Sequence, residues 1–260
     1  MSFLIYMDTT MYKLVCVVFA CDAIEKYRQQ IRDVRRTWRR QCQETVKLLF
    51  FLGEELHDPE FIGEDFIHLP GVGNDYVSAS YKQNLGLLYV HQKLPPSEFY
   101  IVVGTDTYLN IPKLLNVLEP WRSQSQQALC IGGHVNLRKL SFFRNQFFFS
   151  GGPGIVINRA GLNLLAPYLS TMVETWKSVI TSNEYLTPAC DVALCYFAQN
   201  LRFKMVKLPD VVFRACNHKG FPCHQGSIFE KVDMIASCHL MTTNDFDEFT
   251  DILEKNQFFV

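Results

Sequence analysis

Phe99-Tyr100-Ile101-Val102-Val103-Gly104-Thr105-Asp106-Thr107-Tyr108-Leu109-Asn110 is the stretch on which the fold turns. Its first five residues are apolar without a polar break, which is how a strand buried on both faces of a parallel sheet reads. Gly104 ends the run, and a loop follows at the carboxyl end of the strand, where open α/β sheets place their ligands. Asp106 in that loop is a hard oxygen donor suited to Mg²⁺ or Mn²⁺. The competing reading is an aspartate that starts a turn or caps the helix opened by Pro112.

The pattern repeats upstream. Tyr12 to Ala20 is a β-branched apolar run, and Glu25 to Arg40 spaces Tyr27, Ile31, Val34 and Trp38 at helical intervals among arginines. Val46 to Leu52 predicts a second strand stopped by Gly53, and Phe66 to Leu69 a short third one. Asp75 to Leu94 predicts a helix with Tyr76, Ala79, Leu87, Val90 and Leu94 on one face, ended by Pro95-Pro96. With a helix from Pro112 to Leu118, strands and helices alternate as in a Rossmann-like α/β layer.

Downstream, Ala128 to Ile131, Val135 to Leu140 and Phe147 to Phe149 predict short strands near glycine-rich turns, hence an antiparallel or mixed extension of the sheet. Ala160 to Tyr168, Val192 to Gln199 and Asp245 to Leu253 predict helices, and Met234 to Met241 a short strand exposing His239. No repeat or low-complexity linker divides the chain. One domain over residues 1–260 is expected, its alternating part at 12–120 and its extension at 121–260.

Composition narrows the chemistry. The 260 residues are 48% hydrophobic and 20% charged, so disorder is excluded. Twenty-five Lys+Arg balance 26 Asp+Glu, and a net charge of −1 gives no field to hold a nucleic-acid backbone. The nine cysteines have no paired knuckles for zinc and read as buried free thiols of a reducing compartment, with some of the C-terminal ones able to pair in an oxidising one. The opening stretch contains Asp8 and Lys13 and never reaches the apolar length of a membrane span.

Three further segments carry chemistry. Phe149-Ser150-Gly151-Gly152-Pro153-Gly154 permits close backbone approach, as a tight turn in the core or as a cleft wall. It has neither the closing Gly-Lys-Ser/Thr of a P-loop nor the dinucleotide Gly-x-Gly-x-x-Gly, which disfavours a Rossmann dehydrogenase. Asp191 opens a helix as an N-cap or as a functional carboxylate. His239 on its own reads as a structural histidine. Trp38 and Trp176 read as core tryptophans, with sugar stacking the alternative for Trp176.

Taken in order, Val34-Arg35-Arg36-Thr37-Trp38 with Cys42, Tyr81-Lys82, Asp106 before Thr107-Tyr108-Leu109-Asn110, Gly151-Gly152-Pro153-Gly154, Cys190-Asp191 and Ser237-Cys238-His239 resemble the inverting beta-1,3-glycosyltransferases of the Fringe and core 1 beta-1,3-galactosyltransferase group. That resemblance implies a GT-A-type Rossmann-like single domain with a mixed central sheet and an antiparallel extension, its nucleotide-binding half at 12–120 and its acceptor-binding half at 121–260. It also implies transfer of a hexose or N-acetylhexosamine from a UDP-sugar to a sugar hydroxyl of a glycan or glycoprotein, dependent on Mn²⁺ or Mg²⁺.

By the same resemblance, Asp191 matches the catalytic base, and Asp106 and His239, rather than His218 or His224, match the metal ligands. Thr105, Asp106, Arg35, Lys82, Gly151, Gly152 and Gly154 match the donor-binding positions. The chain departs from the pattern at Gly104 and Thr105, where the family has Asp, at Pro153 for Ala, at Cys190 for an acidic residue, and at Cys195 for Gly. The drift to Gly-Thr-Asp supports the alternative of a non-catalytic sugar-binding or chaperone-like homologue, against which Asp191 and His239 argue. A homodimer is compatible with either. The start of the chain fits a cytoplasmic protein, or a Golgi-luminal one if an anchor lies outside it.

Overall fold

The computed structural model describes residues 11–133, 135–136, 147–180, 189–209, 211–215, 229–239 and 241–255. In chain order these form β1 (Leu14–Phe19), α1 (Glu25–Arg36), β2 (Val46–Leu52), β3 (Phe66–His68), α2 (Ser78–Lys93), β4 (Phe99–Gly104), β5 (Thr107–Leu109), α3 (Ile111–Leu118), β6 (Leu129–Gly132) and β7 (Val135–Asn136). They continue with β8 (Phe148–Phe149), β9 (Ile155–Asn158), α4 (Arg159–Leu169), α5 (Met172–Val179), α6 (Cys190–Asn200), β10 (Lys204–Lys207), β11 (Phe213–Ala215), β12 (Ser237–His239) and α7 (Thr243–Lys255).

The main sheet has seven strands in the order β10-β6-β9-β4-β1-β2-β3. β1, β2, β3 and β4 run parallel, while β9 is antiparallel to both β4 and β6. The continuous apolar runs of β1 and β4 follow from this position, since alternate side chains enter different cores. Cys16, Val18, Ile101 and Val103 pack with Ile31 of α1, Leu114 of α3 and Phe246 of α7. Val15, Val17, Tyr100 and Val102 pack on the other face with Leu87 of α2, Leu165 of α4 and Leu194 of α6. Burying each such aliphatic side chain contributes ~1.5–3 kcal/mol.

The predicted helix at 25–40 is broken at Thr37, whose φ/ψ of −112°/−106° is not helical. Its hydroxyl donates to the Asp33 carbonyl at 2.5 Å, and a short 3-10 turn, Trp38–Gln41, follows. Trp38 is fully buried as expected, and its indole N–H donates to the Thr107 carbonyl at 3.1 Å, tying this turn to the loop after β4.

Helix α2 starts at Ser78, three residues later than predicted, because Asp75 accepts the Ser78 amide at 3.0 Å. Tyr76 therefore lies outside the helix and does not join its apolar face. The face α2 buries is largely polar, with Ser80, Lys82, Gln83 and Asn84 beside Leu87 and Val90. The strand expected over Val135 to Leu140 is seen only as β7, its remainder lying outside the described residues.

A small sheet, β11-β12-β5, closes over the end of β4. β12 is antiparallel to β5 with His239 opposite Thr107, and this register delivers the histidine to the residue next to Asp106. Among the described residues no helix is long and apolar enough to cross a membrane. The seven described cysteines are free thiols. Trp176 is buried in the core beside Tyr196, so it offers no sugar-stacking face.

Candidate active site

The site forms where β4 ends. Gly104 lets the chain turn, and Asp106 lies between β4 and β5 with its side chain 29% exposed. It caps no helix, because Asn110 accepts the Lys113 amide at the start of α3. The His239 Nε2 atom is 3.4 Å from Asp106 Oδ2. Burial works against ionisation of Asp106, yet the hydrogen bond and charge of His239 prevail and hold its carboxyl below the ordinary carboxylate range.

The glycine segment turns from β8 into β9 and is packed between these groups. The Gly154 amide donates to the Gly151 carbonyl at 2.9 Å, and Gly154 has φ +99°, a left-handed conformation that a side chain would strain. A Cβ on Gly151 would lie 2.6 Å from Asp191 Cβ, and one on Gly152 would lie 2.1 Å from His239 Nδ1. The missing side chains are what let both functional candidates approach the same turn. The Thr107 hydroxyl donates to the Gly152 carbonyl at 2.8 Å, and the Ser237 hydroxyl to the Pro153 carbonyl.

Asp191 stands in the first turn of α6 and is not its N-cap, a place held by Ala189. Its Oδ2 accepts the Gly151 amide at 2.8 Å and its Oδ1 the Val192 amide at 2.8 Å. Burial pushes its carboxyl above the ordinary range, outweighing these two N–H donors. The Gln83 amide donates to the Cys190 carbonyl at 3.2 Å, so α2 holds the start of α6 in place.

Asp106, His239, Asp191, Gly151 and Gly152 are thus brought together. Gly154 stands one layer back, against Val103 and Ile101 of β4. Lys82 is buried at the end of β1, where its ammonium donates to the Ala20 carbonyl and to Asn74 Oδ1, both at 2.7 Å. Burial lowers its pKa, opposed by the thiol of Cys21 and the carboxylates of Asp22 and Asp75.

Two expected donor-binding residues point elsewhere. The Thr105 hydroxyl is buried and donates to Gln30 Oε1 at 2.8 Å, because the loop turns its side chain onto α1. Arg35 is ion-paired to Glu60 at 3.0 Å and lies over the Phe66 ring of β3, the edge strand that β2 and β1 separate from β4. Composition had marked neither Gln30, Gln83 nor Asn74, which position the site from behind. For Gln30 of α1 and Gln83 of α2 the available signal was polar residues at helical spacings where an apolar stripe was expected, whereas Asn74, in the turn before α2, carries no such signal.

Two atoms are left without partners among the described residues, His239 Nδ1 and Asp22 Oδ1, both buried. His239 and Asp106 are a pair of donors, and no cluster of three or more His, Cys, Asp or Glu gathers among the described residues. One carboxylate and one imidazole fit a cation that takes its remaining ligands from a diphosphate and water, and do not fit an all-protein cage. His218 and His224 lie outside the described residues. A cavity of about 520 Å³ opens at the opposite end of β4, beside Glu98, Trp121 and Arg159, and includes none of these groups.

The sequence profile of the galactosyltransferase family matches residues 27–146, from α1 to just short of β8. Comparison with curated protein sequences gives no match. Among solved structures, a glycosyltransferase involved in glycosylation of the major capsid of PBCV-1 superimposes with a TM-score of 0.52 at 11% identity, covering 92% of this chain and 98% of the other. The glycosyltransferase GlyE of Streptococcus pneumoniae TIGR4 gives a TM-score of 0.50 at 10% identity, covering 95% of this chain and 63% of its own length. At these identities the likeness speaks for the fold: the chain has a mixed α/β architecture of the GT-A, Rossmann-like glycosyltransferase type.

Proposed function

We propose that the chain is an inverting glycosyltransferase that moves a hexose or N-acetylhexosamine from a UDP-sugar to a hydroxyl of a sugar acceptor, in a beta-1,3 linkage. The observation that carries this reading is the single glycine turn against which Asp191 and His239 both pack, with Asp106 3.4 Å from that histidine. A carboxylate suited to accept a proton and a donor pair suited to a hard cation therefore stand at one turn.

Inversion in one step needs one base and no covalent nucleophile. The acceptor oxygen bonds to the anomeric carbon, the bond from that carbon to the diphosphate oxygen breaks with its electron pair, and the acceptor proton passes to a carboxylate. Asp191 suits that task. Each of its oxygens accepts one amide and keeps a further lone pair, and a pKa raised by burial makes it a stronger base than an ordinary aspartate. The two N–H bonds fix its orientation, which supports transfer along one line.

Asp106 and His239 would hold the Mn²⁺ or Mg²⁺, which when bound neutralises charge on the leaving diphosphate. Asp106, its carboxyl below the ordinary range, would meet the cation as a carboxylate, and His239 would bind it through a neutral imidazole. Lys82 closes the end of β1 by holding Ala20 and Asn74 and acts as a support of the donor pocket. Titration of UDP by calorimetry, with Mn²⁺ and then with chelator, tests the reading. Binding should be at least tenfold tighter with Mn²⁺. Equal affinity in both removes the cation from the site, and no UDP binding in either removes the donor assignment.

A further inference from the structure

The cavity of about 520 Å³ at the amino end of β4 has the size of a ligand site and takes no part in the chemistry described so far. Phe99, the first residue of β4, lines it, whereas Asp106 follows the last residue of that strand. Five strand steps of about 3.3 Å each put the two places about 17 Å apart, too far for one sugar ring to reach both.

The walls of the cavity are held from behind. The Arg159 amide donates to the Glu98 carbonyl at 3.1 Å and so ties the start of α4 to the start of β4. Asn158 Oδ1 accepts the Leu129 and Gly161 amides at 2.9 and 3.0 Å, and its Nδ2 donates to the Gln127 carbonyl at 2.7 Å. A wall fixed in this way loses little freedom when a ligand arrives.

The lining nevertheless keeps polar groups in reserve. Arg122 is engaged, with Glu98 at 2.6 Å and Glu119 at 3.0 Å. Arg159 differs: its Nε donates to the Ser97 carbonyl at 3.3 Å and one Nη meets the Met11 sulfur, but no carboxylate pairs with it among the described residues. Both of its Nη atoms therefore retain N–H donors, the fork that accepts a carboxylate end-on. Trp121 in the same lining is half-buried and offers an apolar flank, and its indole N–H has no acceptor among the described residues. The side chains of Ser125 and Gln126 are likewise without partners there and suit hydroxyl groups.

We propose that this cavity is a second carbohydrate site, for a pyranose that carries a carboxylate. The proposal goes beyond the transfer described above and does not depend on it. Arg159 supplies one uncommitted cation, which matches a single carboxylate, whereas a diphosphate brings more negative charge than this lining answers. Trp121 takes the apolar side of the ring, as an aromatic side chain with one wet edge can.

Saturation-transfer NMR of the whole chain with methyl glucuronide and methyl galacturonide, against methyl glucoside, tests the proposal. UDP affinity and the melting temperature are measured on the same samples. At least one uronide should bind about tenfold tighter than the glucoside, with or without UDP and Mn²⁺ and undisturbed by inorganic phosphate. Arg159→Gln should weaken that binding about tenfold and leave UDP affinity within about twofold of wild type. Trp121→Ala should weaken uronide binding to a similar extent; if that variant does not fold, Arg159→Gln decides alone. A wild-type chain that binds no uronide, or binds the glucoside equally, overturns the proposal. So does a uronide signal that UDP or phosphate displaces, or one that Arg159→Gln leaves unchanged. Uronide binding by a chain that takes no UDP defeats the donor assignment and leaves this site standing, and UDP binding without uronide binding does the reverse.

Discussion

Helix α1 and the turn at 151–154 carry opposite kinds of information. The helix is dense in charge, and its arginines are ion-paired. Arg28 meets Glu25, Arg32 meets Glu25, Asp58 and Glu60, Arg35 meets Glu60, and Arg36 meets the buried Asp33 as well as Asp247. The glycine turn has no charge at all, yet the groups packed on it keep unused bonding capacity, with His239 Nδ1 unpaired and Asp191 holding lone pairs beyond its two amides. Charge density marks a scaffold here, and unspent polar capacity held by close packing marks the site.

The comparison breaks most visibly at Asp191. Asp191→Asn keeps the volume and one of the two amide contacts, since its NH2 cannot accept the other N–H. It should cost about 1–3 kcal/mol of stability, while transfer by the folded variant falls by roughly 10²–10⁴-fold at nearly unchanged UDP affinity. The wild-type rate should also fall on the acid side at a pH above the ordinary carboxylate range. The base acts only when ionised, and burial has raised its pKa. Wild-type turnover by Asp191→Asn takes the residue out of the mechanism.

A smaller effect is expected at Gly152. Its backbone suits any residue, so Gly152→Ala acts through its added Cβ alone, which would sit 2.1 Å from His239 Nδ1. Relief requires the imidazole or the turn to shift, at about 1–3 kcal/mol of stability, the usual range for overpacking. Because the shifted ring faces Asp106, the Mn²⁺-dependent gain in UDP affinity should shrink more than the affinity measured with chelator. Loss of stability with the full Mn²⁺ effect kept would make the turn a packing device only.

What the sequence made legible divides along the same line. β4 could be read because burial on both faces leaves a run with no polar residue. Asp106, Asp191, His239 and the glycines could be singled out because their order along the chain carries the resemblance, and the register of β12 against β5 sets His239 beside the loop that holds Asp106. β10 escaped because it is an edge strand, with Lys204 and Lys207 exposed at its ends. The side-chain directions of Thr105 and Tyr76 were not legible for a different reason: both sit in turns, where side-chain direction has no period to read. One faces Gln30 and the other open solvent. The polar face of α2 was hidden because a helix that supports a site buries lysine, glutamine and asparagine where core helices bury leucine.

The smallest effect is expected at Arg35, and it sharpens the comparison from the charged side. The guanidinium is 44% exposed and pairs with a Glu60 carboxylate that is 39% exposed, an arrangement in which solvent and salt screen most of the attraction. Its contact over the Phe66 ring, 5.6 Å from the centroid, adds a packing contribution that does not depend on a ligand. Arg35→Gln should therefore cost about 0–1 kcal/mol, and less of it as salt is raised. UDP affinity should stay within about twofold of wild type, because β2 and β1 lie between this edge and β4. If UDP affinity instead drops tenfold at unchanged stability, the Glu60 pairing is not the state that meets the donor, and α1 would have to be counted with the glycine turn as part of the site.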